Sequence, residues 1–229
     1  MKHPVPELVI FDNDGVLIDS EKLAARSNAE LLTSLGYPTT PEACEERFTG
    51  ISDRAMMQML LDEGYDLPED FIVRMYTVSK TAFETELEPI AGVRNVVQGL
   101  IEAQVKVAVA SNAPRLNVLK NLRTTGYRDL LAPELCFSGL DVARPKPAPD
   151  LHTHILERFD LAPHQALVIE DSPVGAQGAK EAGIDFIAVL YAVAPHMKDR
   201  RVAEFHALGA REIVDSVEEL RDLLNYTQP

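Results

Sequence analysis

The feature that most constrains the fold is a regular alternation of short apolar runs with helical patterns. The runs that predict strands lie at 8–11, 105–110, 135–137, 166–169, 186–190 and 212–214. The helical patterns that separate or follow them lie at 92–103, 114–124, 148–159, 173–182 and 216–225. Continuously apolar strands are typical of a sheet buried on both faces, and their alternation with helices indicates βαβ units. We therefore predict an α/β fold with a Rossmann-like parallel sheet as its core.

Residues 19–88 interrupt this alternation, because they contain no convincing strand. Helices are predicted near 19–35, 41–47, 53–63 and 68–87, separated by glycines and prolines. We predict that 19–88 form a small all-helical domain, inserted after the first strand of an α/β core made of 1–18 and 89–229. The two adjacent linkers of such an insert would make a natural hinge.

Composition limits the classes of function. The chain has 229 residues, of which 46% are hydrophobic, so it can bury a well-packed core. Its formal net charge of -14 at pH 7 argues against nucleic-acid binding, which requires a basic surface. The same charge repels anionic substrates, so a bound phosphate would need a metal ion, a lysine or backbone N–H groups beside it.

The cysteines and the lengths of the apolar runs bear on location. Cys44 and Cys136 are far apart and have neither metal-binding nor redox spacing, which is typical of a reduced, cytoplasmic protein. The apolar run before Asp12 is shorter than a signal peptide requires, and no segment reaches transmembrane length. We expect a cytoplasmic monomer that binds neither membranes nor nucleic acid.

Polar side chains follow four of the predicted strands at their carboxyl ends, where open α/β sheets bind ligands. In chain order these segments are Asp12-Asn13-Asp14-Gly15, Ser111-Asn112, Arg144-Pro145-Lys146-Pro147 and Glu170-Asp171-Ser172. Each segment alone also has a purely structural explanation: an acidic turn, a helix N-cap, an exposed loop lysine and a second cap. Their joint placement at one edge of one sheet favours a catalytic site.

These residue types suit the hydrolysis of a phosphate monoester. The reaction needs a nucleophile, an acid for the leaving oxygen and positive charge around the phosphoryl oxygens. Asp12 can attack as a carboxylate, and Asp14 can be aimed at the leaving oxygen by the turn at Gly15. Magnesium prefers oxygen ligands, a role that Asp12 and Asp171 fit.

The phosphoryl group itself needs hydrogen-bond donors and a cation. The Ser111 hydroxyl and backbone N–H groups near Asn112 can donate hydrogen bonds to it. Lys146 can pair with both the phosphate and Asp12. The histidines, in contrast, suggest no site: His152 and His154 are two residues apart on a predicted helix, do not share a face, and are expected at the surface.

The four motifs, in this order, closely resemble those of the haloacid dehalogenase superfamily of phosphotransferases. The insert is similar to that family's small helical cap, and Asp-Gly-Val-Leu at 14–17 with Asp-Ser-Glu at 19–21 resembles the branch of β-phosphoglucomutases and small sugar-phosphate phosphatases. The resemblance implies that Asp12 is the nucleophile and Asp14 the general acid and base. The implied ligands of Mg²⁺ are Asp12, Asp14 through its backbone carbonyl, and Asp171, with Glu170 beside it either as a further ligand or as a residue that supports the ligands. The implied phosphate-binding residues are Ser111, Asn112 and Lys146.

The resemblance also bears on the substrate, expected to be a small phosphorylated metabolite. The segment 137–147 resembles bacterial phosphatases that act on 6-phosphogluconate. Gly50-Ile51-Ser52-Asp53-Arg54 resembles the substrate-specificity loop of the cap, which makes Gly50 and Arg54 candidate selectivity residues; Arg54 is also explained as a first-turn helix residue.

Two other functions remain open. The first is a phosphotransferase similar to β-phosphoglucomutase, but such mutases carry a histidine early in the first cap helix and 22–26 contain none. The second is a non-catalytic regulator that binds a phosphorylated metabolite, since a fold does not fix a function. That protein would be expected to lack Asp12, Asp14, Lys146 or Asp171, all of which are present.

Overall fold

The computed structural model describes residues 5–48 and 53–224. In chain order the strands are β1 (Leu8–Phe11), β2 (Lys106–Ser111), β3 (Cys136–Ser138), β4 (Ala166–Glu170), β5 (Asp185–Val189) and β6 (Glu212–Val214). The α-helices are α1 (Glu21–Ser34), α2 (Pro41–Phe48), α3 (Asp53–Asp62), α4 (Phe71–Thr85), α5 (Val93–Glu102), α6 (Arg115–Thr124), α7 (Asp150–Phe159), α8 (Pro173–Glu181), α9 (Lys198–Leu208) and α10 (Val217–Leu223).

The chain divides into two compact units, Met1–Ile18 with Glu88–Pro229, and Asp19–Leu87. The first unit holds all the described strands, in one parallel sheet of order β3-β2-β1-β4-β5-β6. The predicted α/β fold with a parallel, Rossmann-like sheet is confirmed. The strand order reverses direction at β1, which lies between β2 and β4. In open sheets of this kind, the crevice at such a reversal is where ligands bind.

The central strand shows why these residues form a sheet core. Every residue of β1 is 0% exposed, because helices cover both faces of the sheet and an apolar side chain is buried whichever way it points. One strand is therefore enclosed by its neighbours at both edges and by helices above and below. This rigid position fixes the residue that follows it.

The second unit consists of α1 to α4 around a core of its own. Leu32 of α1, Leu60 of α3 and Phe71 of α4 are almost fully buried in it, and Tyr37 packs against Tyr65 with ring centroids 4.5 Å apart. The predicted helices of this segment are present. Among the residues that the structure describes, no helix combines the length and the apolar character needed to cross a bilayer.

One helix, α9, was not among the predicted helical patterns. It begins with four charged residues at 198–201, and its apolar positions Val202, Phe205 and Leu208 recur only every third residue. That weak stripe still packs on the sheet: Phe205 is fully buried, and its ring centroid lies 6.4 Å from that of Phe186 in β5.

The expectation for His152 was wrong, whereas His154 is exposed as expected. His152 is 0% exposed, and neither ring nitrogen has a hydrogen-bond partner among the described residues. Its ring packs against α8 at Gly178, where a side-chain carbon would come within 3.2 Å of Nδ1. Spacing within α7 gave no sign of this burial, because it depends on a glycine of another helix. Burial, and then the charge of Lys146, lower the pKa of His152 to about 3.

This buried histidine is expected to make folding stability fall in acid. In the unfolded chain His152 has its ordinary pKa of 6.5 and gains a proton as the pH falls below that value. In the folded protein its pKa is about 3, so it gains the proton only in much stronger acid. Between pH 7 and pH 5 we therefore expect His152 to remove about 2 kcal/mol from the free energy of unfolding. Urea unfolding of the wild type and His152→Leu at both pH values isolates this contribution. Equal losses in the two proteins would contradict it.

Candidate active site

The loop after β1 is held by the sheet at one end and by a turn at the other. The backbone N–H of Asp12 donates to the carbonyl of Ile169 in β4 at 3.0 Å, so the β-ladder continues to this residue. Gly15 has a φ of +72°, a left-handed conformation that favours glycine. Space requires glycine too, since a side-chain carbon there would lie 1.9 Å from Oδ2 of Asp171.

Two tyrosines fix the continuation of this loop, and neither was predicted from the sequence. The hydroxyl of Tyr191 donates to the carbonyl of Val16 at 3.0 Å, and that of Tyr127 donates to the carbonyl of Leu17 at 3.3 Å. Burial raises the pKa of both phenols, so they remain protonated donors. The loop is therefore anchored from positions far along the chain.

Lys146 lies at the centre of the site and is 6% exposed. Its ammonium donates to Oδ1 of Asp12 at 2.8 Å, to the carbonyl of Ala110 at 2.8 Å and to Oε1 of Glu170 at 2.6 Å. Burial alone would lower the pKa of Lys146, but the two carboxylates raise it above its ordinary value. All three protons of the ammonium thus have acceptors. A phosphoryl oxygen that binds here would either share one of these protons with its present acceptor or displace that acceptor.

The carboxylates outnumber the cations. Oxygen atoms of Asp12, Glu170 and Asp171 lie within 4.8 Å of one another, and among the described residues the ammonium of Lys146 pairs with Asp12 and Glu170. Burial, and next the charge of Glu170, raise the pKa of Asp12, while Lys146 opposes the shift. The second oxygen of Glu170 accepts from the backbone and the hydroxyl of Ser172, at 3.3 and 3.0 Å. An all-oxygen cluster with excess negative charge fits a hard divalent cation such as Mg²⁺.

Asp14, in the loop after β1, contacts Ser111 at the end of β2. Its Oδ2 accepts from Nδ2 of Asn13 at 3.1 Å and from the hydroxyl of Ser111 at 3.5 Å. Ser111 is 2% exposed, and its Oγ also accepts from the backbone N–H of Ala113 at 3.1 Å. Asn13 is fully buried, although sequence reasoning gave it no role.

The candidate residues of the α/β core lie close together, and those of the helical unit are described separately. The core brings together Asp12, Asp14, Ser111, Asn112, Lys146, Glu170 and Asp171, as the strand ends predicted. Asn112 contacts Lys146 through its side chain. In the second unit, Arg54 is an exposed residue in the first turn of α3. Gly50 lies outside the described residues.

Residues 9–189 match the family described as haloacid dehalogenase-like hydrolase. The chain belongs to this family. A phosphorylated carbohydrates phosphatase from Thermotoga maritima is 32% identical over 183 residues, which cover 79% of this chain and 83% of that protein. The 6-phosphogluconate phosphatase of Escherichia coli is 29% identical over 197 residues, 84% of this chain and 85% of that protein.

A solved structure agrees over nearly the whole length. A haloacid dehalogenase family hydrolase from Deinococcus radiodurans, determined with bound phosphate and sodium, is 28% identical and has a TM-score of 0.82. The alignment covers 98% of this chain and 100% of that one. Together with the named phosphatases, these similarities identify this haloacid dehalogenase-like hydrolase as a phosphoric monoester hydrolase.

Two further glycines of this hydrolase make room for site residues, and sequence reasoning missed both. A side-chain carbon at Gly175 of α8 would lie 1.6 Å from Oε1 of Glu170, and one at Gly139 would lie 2.5 Å from Oδ1 of Asn112. Neither has a left-handed φ, so space alone requires glycine. Their nearness to site motifs is the only signal that could have found them.

Proposed function

We propose that this protein hydrolyses a small phosphorylated carbohydrate through an acyl phosphate formed on Asp12, with the help of Mg²⁺. One observation carries the proposal: Asp12, held rigidly at the end of the central strand, lies against Lys146 and close to Glu170 and Asp171. A carboxylate so placed can act as a nucleophile while neighbouring cations offset the charge of the phosphoryl group.

In the first step a carboxylate oxygen of Asp12 attacks the phosphorus atom, and the bond from phosphorus to the sugar oxygen breaks. Protonated Asp14 gives its proton to that oxygen, so the sugar leaves as a neutral alcohol. Ser111 and Lys146 hold the phosphoryl oxygens. The product is an acyl phosphate on Asp12.

In the second step water attacks the phosphorus atom and gives a proton to Asp14, which is now ionised. The bond between phosphorus and the Asp12 oxygen breaks, so inorganic phosphate leaves and the carboxylate is restored. A Mg²⁺ ion held by Asp12, Glu170, Asp171 and the backbone carbonyl of Asp14 would supply positive charge against the phosphoryl oxygens.

The substrate class rests on the relatives, which include phosphatases of phosphorylated carbohydrates and of 6-phosphogluconate. We propose sugar phosphates and sugar-acid phosphates, with 6-phosphogluconate as the first to test. Phosphate release from a panel of sugar, sugar-acid and polyol phosphates, with MgCl₂, tests the proposal. Release from none of them would contradict it. Conversion of glucose 1-phosphate to glucose 6-phosphate instead would identify a mutase.

The role of Asp14 predicts an effect that depends on the leaving group. A general acid contributes roughly 10²–10⁴-fold when the departing oxygen is strongly basic, as in a sugar. We expect Asp14→Asn to lower kcat by that amount for a sugar phosphate and by much less for p-nitrophenyl phosphate. Steady-state kinetics on both substrates measure the difference. Equal losses would show that Asp14 serves only to arrange the site.

We also propose that the helical unit selects the substrate, because the four core loops handle phosphate but offer little surface for a sugar. Arg54→Ala is expected to lower kcat/KM for a sugar-acid phosphate by about 10-fold or more, because a hydrogen bond to a charged group would be lost. Arg74→Ala is the matched control, since Arg74 is an exposed arginine of α4 paired with Asp70 of its own helix turn. An unchanged ranking of substrates in Arg54→Ala would argue against this role.

A further inference from the structure

The side chain of Asn112 contacts the backbone of one residue through both of its polar atoms. Its Nδ2 donates to the carbonyl of Lys146 at 2.9 Å, and its Oδ1 accepts from the backbone N–H of Lys146 at 3.0 Å. These are the bonds that a neighbouring β-strand would make. The two residues are 34 positions apart, so the contact joins two separate motifs.

Lys146 needs this support because its own segment offers little. It lies outside the strands and helices, between Pro145 and Pro147, and neither proline has a backbone N–H. The carbonyl of Pro145 accepts from Ala148 in a turn, at 3.0 Å. Within the Pro-Lys-Pro segment, Lys146 therefore has the only backbone donor, and Asn112 accepts from it.

The ammonium of Lys146 is held by β2, the strand that Asn112 directly follows. The ammonium donates to the carbonyl of Ala110, the residue before Ser111 at the end of β2. Asn112, directly after β2, holds the backbone of the same lysine. Residues at the end of β2 thus hold both the backbone and the ammonium of Lys146.

The surroundings of Asn112 are shaped to allow this contact. Gly139, which follows β3, lies against the amide, and a side-chain carbon there would come within 2.5 Å of Oδ1 and 2.9 Å of the Cβ of Pro145. These are distances that real carbon atoms do not adopt. The glycine therefore leaves the space in which the amide reaches Lys146.

We propose that Asn112 is a positioning residue for Lys146, and that its side chain acts on the phosphoryl group only through that lysine. This inference rests on the proposed function, in which Lys146 holds the phosphoryl group. It differs from the sequence-based expectation that Asn112 binds phosphate, a role that its backbone N–H can fill without the amide.

The test is a double-mutant cycle with Lys146→Met, which removes the ammonium but keeps the backbone groups that contact Asn112. We expect Asn112→Ala to lower kcat/KM and the affinity for inorganic phosphate by about 10-fold when Lys146 is present, as residues of one hydrogen-bond network couple. In Lys146→Met the same change should alter neither by more than about 2-fold. Calorimetry with inorganic phosphate gives the affinity independently of turnover.

Ser138→Ala is the matched control for general loosening of the loop. The hydroxyl of Ser138 donates to the carbonyl of Ala113 at 2.7 Å and does not contact Lys146. Its effect should be the same in both backgrounds. If Asn112→Ala unfolds the protein, Asn112→Asp serves instead, because it keeps the acceptor for the backbone N–H and loses the donor.

The outcomes are distinct. Equal losses from Asn112→Ala with and without the ammonium would overturn the inference and give Asn112 a direct contact to phosphate, while the proposed function stands. If Lys146→Met itself keeps full activity and phosphate affinity, the proposed role of Lys146 fails and the inference fails with it. Coupling confined to the background that retains Lys146 supports both.

Discussion

Asp12→Asn is expected to lower turnover of phosphate esters by roughly 10⁴-fold or more, the scale seen when a catalytic nucleophile is removed. An amide has the shape of the carboxylate but is a poor nucleophile. Its oxygen can still accept from Lys146, and one buried negative charge disappears from a cluster that has too many. We therefore expect the variant to remain folded.

The measurement is single-turnover phosphate release by purified protein, with thermal unfolding to verify the fold. Acid-quenched wild type should carry a phosphoryl label that hydroxylamine removes, and the variant should carry none. Asp185→Asn is the matched control. Asp185 is an exposed carboxylate at the amino end of β5, and the candidate site lies at the carboxyl ends of the strands. Turnover near wild type in Asp12→Asn would refute the proposed nucleophile.

Removal of divalent metal is expected to lower activity by roughly 10³-fold or more, since metal ions contribute several kcal/mol of charge stabilisation to such reactions. Magnesium should restore activity and calcium should not, because calcium takes more ligands at longer distances. The cluster of Asp12, Glu170 and Asp171 supplies the physical reason, as three carboxylates lie close together and the ammonium of Lys146 pairs with two of them, Asp12 and Glu170.

A second readout does not depend on turnover. Magnesium at about 100 times its dissociation constant should raise the free energy of unfolding by about 2.7 kcal/mol. Asp171→Asn should lose most of this gain, whereas Asp185→Asn should keep it. Full activity after exhaustive chelation would exclude the proposed metal site.

The strand ends and their polar residues could be predicted because they depend on local pattern. An apolar run followed by Asp12 predicts both a buried strand and an acid at its carboxyl end, and parallel strands bring such ends to one edge. The roles of these residues stay predictions until the variants are measured. The same reasoning missed His152, because a helical pattern does not show that a glycine in another helix leaves space for a ring.

Contacts between distant positions were beyond the sequence patterns. Tyr191 and Val16 are 175 positions apart, and nothing in either segment indicates that a phenol reaches that carbonyl. Gly139 and Gly175 were missed for the same reason: each is explained by a side chain from another segment. Periodicity describes what one segment buries, whereas these residues matter through what a different segment brings to them.

The strand order has a practical consequence for anyone who wishes to engineer this enzyme. The candidate residues of the α/β core follow β1, end or follow β2 and β4, or lie in the segment after β3, whereas β6, α9 and α10 carry none of them. We expect substitutions in β6, α9 and α10 to change stability more than turnover or selectivity, because these elements carry no candidate residue. Libraries aimed at durability belong there, and libraries aimed at new substrates do not.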